Sequence, residues 1–104
     1  MHPRPGEVWM TDLGMVAKPR PCLVLTGPPL ENELAVATVV AQSTSLRGNR
    51  WEVPVRKFFL DPKGAFDVQR VLTVEAVKFE RKLGELTPDE LDAVLDRLAE
   101  RLGI

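Results

Sequence analysis

The apolar positions of this chain change period once, near residue 87. Before that point they fall into short runs separated by turn-forming residues. Glu7–Asp12 (Glu-Val-Trp-Met-Thr-Asp) and Pro21–Thr26 (Pro-Cys-Leu-Val-Leu-Thr) both read as strands. Pro21 sits at the first position of the second run, where a missing N–H is tolerated, and Gly27-Pro28-Pro29 closes it. Leu34–Val40 is apolar except for Thr38, which predicts a central strand buried on both faces. Trp51–Val55 alternates, with Pro54 pushing it towards an edge or a bulge. Val68–Val74 predicts a further strand, and Lys82–Leu86 a short last one. Five or six short strands at this spacing suggest a small, partly closed barrel.

After Leu86 the period becomes helical. Thr87-Pro88-Asp89-Glu90 has the form of a capping box, with Thr87 as N-cap, Pro88 at the first helical position and Glu90 reaching back. Leu91, Val94, Leu95, Leu98, Ala99 and Leu102 then form one apolar stripe, and Gly103 supplies the stop. The stripe is expected to pack on the barrel, although a partner helix or a second copy would suit part of it. Eight of the nine prolines precede residue 63, between runs rather than within a helix, and there is no internal repeat. The expected organisation is one domain, 1–104, mainly β with α+β character.

Composition narrows the function. The 104 residues are 44% hydrophobic and 28% charged, ordinary globular values that argue against disorder. No apolar run approaches the roughly 20 residues of a bilayer span, and Met1-His2-Pro3-Arg4 does not open a signal peptide. A lone Cys22 forms no internal disulfide and fits a cytoplasmic setting; with His2 the only histidine, no His/Cys metal site is expected. No cofactor is implied.

A net charge of −1 argues weakly against a general nucleic-acid binder, but it hides an asymmetry. Residues 1–74 carry nine basic and seven acidic groups, and 75–104 carry five basic and eight acidic. Between Ala41 and Lys57, Arg47, Arg50, Arg56 and Lys57 face Glu52 alone, either as an anion site or as a solvated loop. Two segments hold the remaining candidate chemistry. Lys18-Pro19-Arg20-Pro21 holds Arg20 between two restricting rings, directly before a strand. Gln42 to Arg50 brings the hydroxyls of Ser43, Thr44 and Ser45 beside Arg47 and Arg50, a set suited to a phosphate oxyanion. A surface charge and a plain turn are the simpler readings. Trp9 and Trp51 are candidates for stacking on bases, although core or interface packing suits them better.

Over nearly its entire length the chain resembles the MazF/PemK family of toxin endoribonucleases. The matching pieces, in order, are Arg4-Pro5-Gly6-Glu7-Val8-Trp9 with Thr11-Asp12-Leu13-Gly14, then Arg20-Pro21 with Leu23-Val24-Leu25. Ser43-Thr44-Ser45 follows the third strand, Gln69 matches the glutamine of a later strand, and Leu83-Gly84-Glu85-Leu86 precedes the helix. The resemblance implies an SH3-like barrel of five to six antiparallel strands with a C-terminal helix. It also implies a homodimer, a cognate MazE-like antitoxin, metal-independent cleavage of single-stranded RNA, and DNA contact only through the antitoxin.

Arg20 and Ser43 then correspond to the family's catalytic arginine and hydroxyl, with Thr44 one position away as the alternative. Lys18, Ser45, Arg47, Arg50 and Gln69 are expected to contact RNA. In this scheme the 2′-hydroxyl attacks the adjacent phosphorus, so the protein needs to align the backbone and stabilise a dianionic phosphorane. Arginine suits the second task but is a poor general acid at neutral pH. No residue is an obvious general base, so modest turnover is expected. The chain departs from the family pattern in a shorter first loop (Leu13–Lys18), in Ala41 where proline is common, and in Val68 where an acidic residue is frequent. A non-catalytic barrel dimer that binds protein, including a gyrase-type poison, is the competing expectation. A DNA-binding autoregulator acting alone is disfavoured by the charge.

Overall fold

The computed structural model describes residues 2–14 and 18–104, so the middle of the first loop, residues 15–17, lies outside the described residues. Six strands form one antiparallel sheet: β1 (Glu7–Thr11), β2 (Arg20–Val24), β3 (Val36–Ser43), β4 (Glu52–Val53), β5 (Ala65–Glu75) and β6 (Phe79–Glu85). Their order is β4-β5-β3-β2-β1-β6, and one helix, α1 (Pro88–Leu102), follows. A 3-10 turn, Ala76–Lys78, which the sequence pattern did not show, links β5 to β6.

Alternation along the strands divides the core between the two faces of the sheet. Val8, Leu23, Val40, Phe66 and Val68 face one way, where Val94 of α1 and Leu60 cover them. Trp9, Cys22, Val24, Val39 and Ala41 face the other way, joined by Val74 and flanked by Phe79. Trp9 meets Phe79 edge to face at 6.2 Å. Both tryptophans are therefore packing residues: Trp9 is buried in this second cluster, and Trp51 packs half-buried against the first.

The helix begins as expected. Thr87 Oγ1 accepts from the Glu90 N–H and Glu90 accepts from the Thr87 N–H, which completes the capping box. Gly103 ends it at φ 75°, a left-handed position that an L side chain rarely adopts. Of the apolar stripe, Val94 is fully buried while Leu102 is 62% exposed, so the sheet covers the stripe only in part.

The strand limits differ from expectation where polar residues are buried or prolines intervene. Leu34 is 78% exposed and precedes β3, which instead runs on through Gln42 to Ser43. Gln42 is tolerated there because its amide binds the Asp61 backbone, donating to O at 3.0 Å and accepting from N at 3.4 Å. Pro54, with no N–H to offer, confines β4 to two residues. β5 begins three residues earlier than expected, at Ala65, and β6 at Phe79. Within β6, Gly84 is required by packing, because a Cβ there would overlap the Phe59 ring.

Three carboxylates tie this framework together. Burial raises the pKa of Glu7, but donors from Trp9, the Arg4 N–H and Lys82 outweigh it and hold the carboxyl below the ordinary 4.5. Glu90 is held low first by Lys57, 2.7 Å away, and then by the helix cap. Glu52 is held low by the backbone N–H groups of Arg47, Gly48 and Asn49. A carboxyl whose pKa falls on folding stabilises the native state above its unfolded value. That contribution is lost as pH drops through the folded value. Thermal midpoints are therefore expected to fall steadily with acidification below pH 4.5. A midpoint that held constant from pH 5 to pH 3 would contradict these assignments.

Candidate active site

The first residue of β2 and the last of β3 come together at one end of the sheet. The β2–β3 register pairs Cys22 with Ala41, and carried two residues further it sets Arg20 opposite Ser43. Both therefore share the face occupied by Cys22 and Ala41. The ladder to β3 starts only at Cys22, so Pro21 costs no inter-strand hydrogen bond.

A bulge in β5 supplies the facing wall. Between Val40 and Gln42 the β3 strand advances two residues while its partners step from Val71 to Phe66, five residues, so four residues of β5, 67–70, stand against Ala41 of β3, an excess of three. Bulges of this kind redirect side chains. Here Val68 stays in the core while Gln69 and Arg70 turn to a cavity of about 450 Å³. Arg20, Ser43 and Ser45 line its other side, with Leu13 and Leu72 at its apolar rim. The cavity contains guanidinium, amide and hydroxyl groups, and no carboxylate lines it among the described residues.

Arg20 makes no ion pair among the described residues, and its side chain is exposed to the cavity. Ser43 is 6% exposed, and its Oγ accepts from the Ser45 N–H at 3.2 Å, which leaves the hydroxyl hydrogen to donate. Thr44 points to a neighbouring depression lined also by Lys18 and Pro19. Arg20 borders both spaces, so Ser43 and Thr44 lie on either side of it.

The remaining expected residues divide. Gln69 lines the cavity, and its Oε1 accepts from Asn49 Nδ2 at 3.0 Å. Arg47 and Arg50 do not line it. The 47–49 loop instead closes on Glu52, which accepts from the N–H groups of Arg47 (2.8 Å), Gly48 (2.8 Å) and Asn49 (3.1 Å). The Arg50 guanidinium lies 4.1 Å from the Trp51 ring centre and binds Glu100 at 3.3 Å. Arg70 is the residue that sequence reasoning missed. A period-two strand puts neighbours on opposite faces, and only the bulge brings Arg70 to the same cavity as Gln69.

Acid–base groups are scarce here. Two carboxylates lie nearby: Asp61 lines the depression shared by Lys18 and Thr44, and Asp67, nearly buried, accepts from the Gln69 N–H at 2.9 Å with Arg70 Nε at 3.6 Å. Burial dominates at Cys22 and pushes its thiol up to about 11, despite the Thr11 hydrogen bond and the Arg20 charge, so it stays neutral. Among the described residues, no group of three or more His, Cys, Asp or Glu is placed to hold a metal ion, and no helix is long and apolar enough to cross a membrane.

Solved structures share this fold over almost all of both chains. An endoribonuclease from a mycobacterial species, in complex with its cognate antitoxin, superposes with a TM-score of 0.81 at 24% identity, covering 98% of this chain and 96% of that one. The Mycobacterium tuberculosis toxin MazF-mt6 gives 0.78 at 23% identity, covering 94% and 97%. A Deinococcus radiodurans MazE–MazF structure gives 0.81 at 18% identity, covering 100% and 99%. No curated protein sequence is a significant match. The model of the PemK-like, MazF-like toxins matches residues 4–102, nearly the whole chain. The chain thus belongs to the PemK-like, MazF-like toxin family of type II toxin–antitoxin systems.

Proposed function

We propose that this chain is an endoribonuclease toxin that cuts single-stranded RNA without a metal ion. The observation that carries the reading is that Arg20 and Ser43 line one cavity and Arg20 makes no ion pair among the described residues. An unpaired guanidinium beside hydroxyl and amide donors suits a phosphodiester in transit to a dianionic phosphorane.

The substrate supplies the nucleophile. Its 2′-oxygen bonds to the adjacent phosphorus, the bond from phosphorus to the 5′-oxygen breaks, and the products carry a 2′,3′-cyclic phosphate and a 5′-hydroxyl. Arg20 donates two hydrogen bonds to the non-bridging oxygens, and the Ser43 hydroxyl holds the same phosphate. Arg70, paired through Nε with Asp67, offers its remaining N–H donors to the same cavity. The attacking hydroxyl gives its proton to water, and water protonates the leaving 5′-oxygen, with Arg20 as an additional donor. Charge stabilisation without a tuned base is consistent with modest turnover.

On this reading Thr44 and Lys18 contact the RNA backbone from the adjoining depression and Ser45 from within the cavity, where Gln69 also meets the RNA. Arg47 and Arg50 act only where a long RNA passes over the 47–50 loop. A cognate antitoxin, a second copy of the chain in a homodimer, and a cytoplasmic setting belong to the same proposal. They are supported by family membership and by the antitoxin complex of a structural relative. DNA contact would then run through the antitoxin.

Offering the purified protein one sequence as single-stranded RNA, as duplex RNA and as single-stranded DNA tests the reading. Discrete cuts confined to single-stranded RNA are expected. RNA left intact by folded protein would overturn the proposal and favour a protein-binding barrel. Cut DNA would rule out the 2′-hydroxyl route.

A further inference from the structure

The amide of Gln69 cannot face the cavity either way round, because a relay of hydrogen bonds fixes it. The Trp51 backbone N–H, which only donates, binds Asn49 Oδ1 at 3.0 Å. Asn49 therefore turns Nδ2, also a donor, towards Gln69, and the atom it meets at 3.0 Å must be the oxygen Oε1. The relay is anchored at both ends. Asn49 N–H is one of the three that bind Glu52, and the Gln69 N–H binds Asp67 Oδ1 at 2.9 Å. With Oε1 engaged and Nε2 without a protein partner among the described residues, Gln69 offers the cavity hydrogen-bond donors.

We infer that Gln69 determines specificity by donating to O4 of uracil or O6 of guanine in a base beside the scissile phosphate, so that these are selected there over cytosine or adenine, with Asn49 as the positioning residue. This rests on the endoribonuclease reading above. Arg20 already provides charge for the phosphate, whereas a neutral amide with one polarity matches a base edge. At the corresponding ring position cytosine and adenine carry an amino group, which would set donor against donor and leave both unpaired.

The test uses single-stranded oligonucleotides of constant sequence except for U/C and G/A exchanges at the nucleotides flanking a mapped cut. At one flanking position the native protein is expected to cut the keto-bearing member about tenfold faster. In Asn49→Asp the carboxylate still accepts from Trp51 N–H but has only acceptors for Gln69. The Gln69 amide then turns, presents Oε1 to the cavity, and the preference reverses towards the amino-bearing base.

Gln69→Glu provides a second route that leaves the 47–49 loop untouched. One oxygen accepts from Asn49 and the other faces the cavity, so the same reversal is expected. An unchanged preference in both variants, or a uniform loss across all oligonucleotides, would overturn the inference and make Gln69 a backbone contact. Failure of the native protein to cut any member would instead bring down the endoribonuclease reading, and the inference with it.

Discussion

Replacing Arg20 with alanine is expected to slow RNA cleavage by about 100- to 1,000-fold, the usual cost of removing one fixed donor from a developing oxyanion. The fold should survive intact. Arg20 opens β2, is exposed, and makes no ion pair among the described residues. Substitutions of that kind usually change stability by less than about 0.5 kcal/mol. Arg20→Lys should fall between the two, because it keeps the charge but loses the planar fork that binds two phosphate oxygens at once. Cleavage rates measured beside thermal melts separate these effects. A melt unchanged with cleavage intact would remove Arg20 from the mechanism.

Phe66→Ala carries the largest expected effect on stability, about 3–5 kcal/mol. The ring is fully buried, and its residue pairs with Gln42 of β3 on one side and Val53 of β4 on the other. It shares its core cluster with Val94 of α1, so the cavity left by alanine would loosen sheet and helix together. For a domain of this size the melting temperature should drop on the order of 15–25 °C. The loss also reaches the candidate site, because the neighbouring Ala65 pairs with Ser43. A drop of only a few degrees would mean that the ring is not the joint between the two ladders.

How much of this was readable from the residues differs between elements. The helix was fully marked, because Thr87, Pro88, Glu90 and Gly103 each act locally and need no tertiary partner. The end of β3 was not. Gln42 and Ser43 look like the start of a turn, and only the Asp61 backbone and the β5 pairing make them a buried strand end. The site shows the same division. Arg20 and the Ser43–Ser45 hydroxyls stood out by residue type, but their meeting depends on the β2–β3 register. Their roles came from family resemblance rather than from spacing. Arg70 was hidden because a bulge breaks the period that sequence reading depends on. Arg47 and Arg50 stood out as charge, yet the loop that carries them is folded around Glu52, and Arg50 stacks on Trp51.

The central claim is that the substrate's own 2′-hydroxyl is the nucleophile and that arginine supplies the positive charge. Digesting a long single-stranded RNA in the presence of EDTA, then identifying the chemistry of the new ends, tests it most directly. The mechanism requires discrete cuts bearing 2′,3′-cyclic phosphates and 5′-hydroxyls, with rates unaffected by the chelator. Cleavage that stops in EDTA, or that leaves 3′-hydroxyl and 5′-phosphate ends, would contradict it.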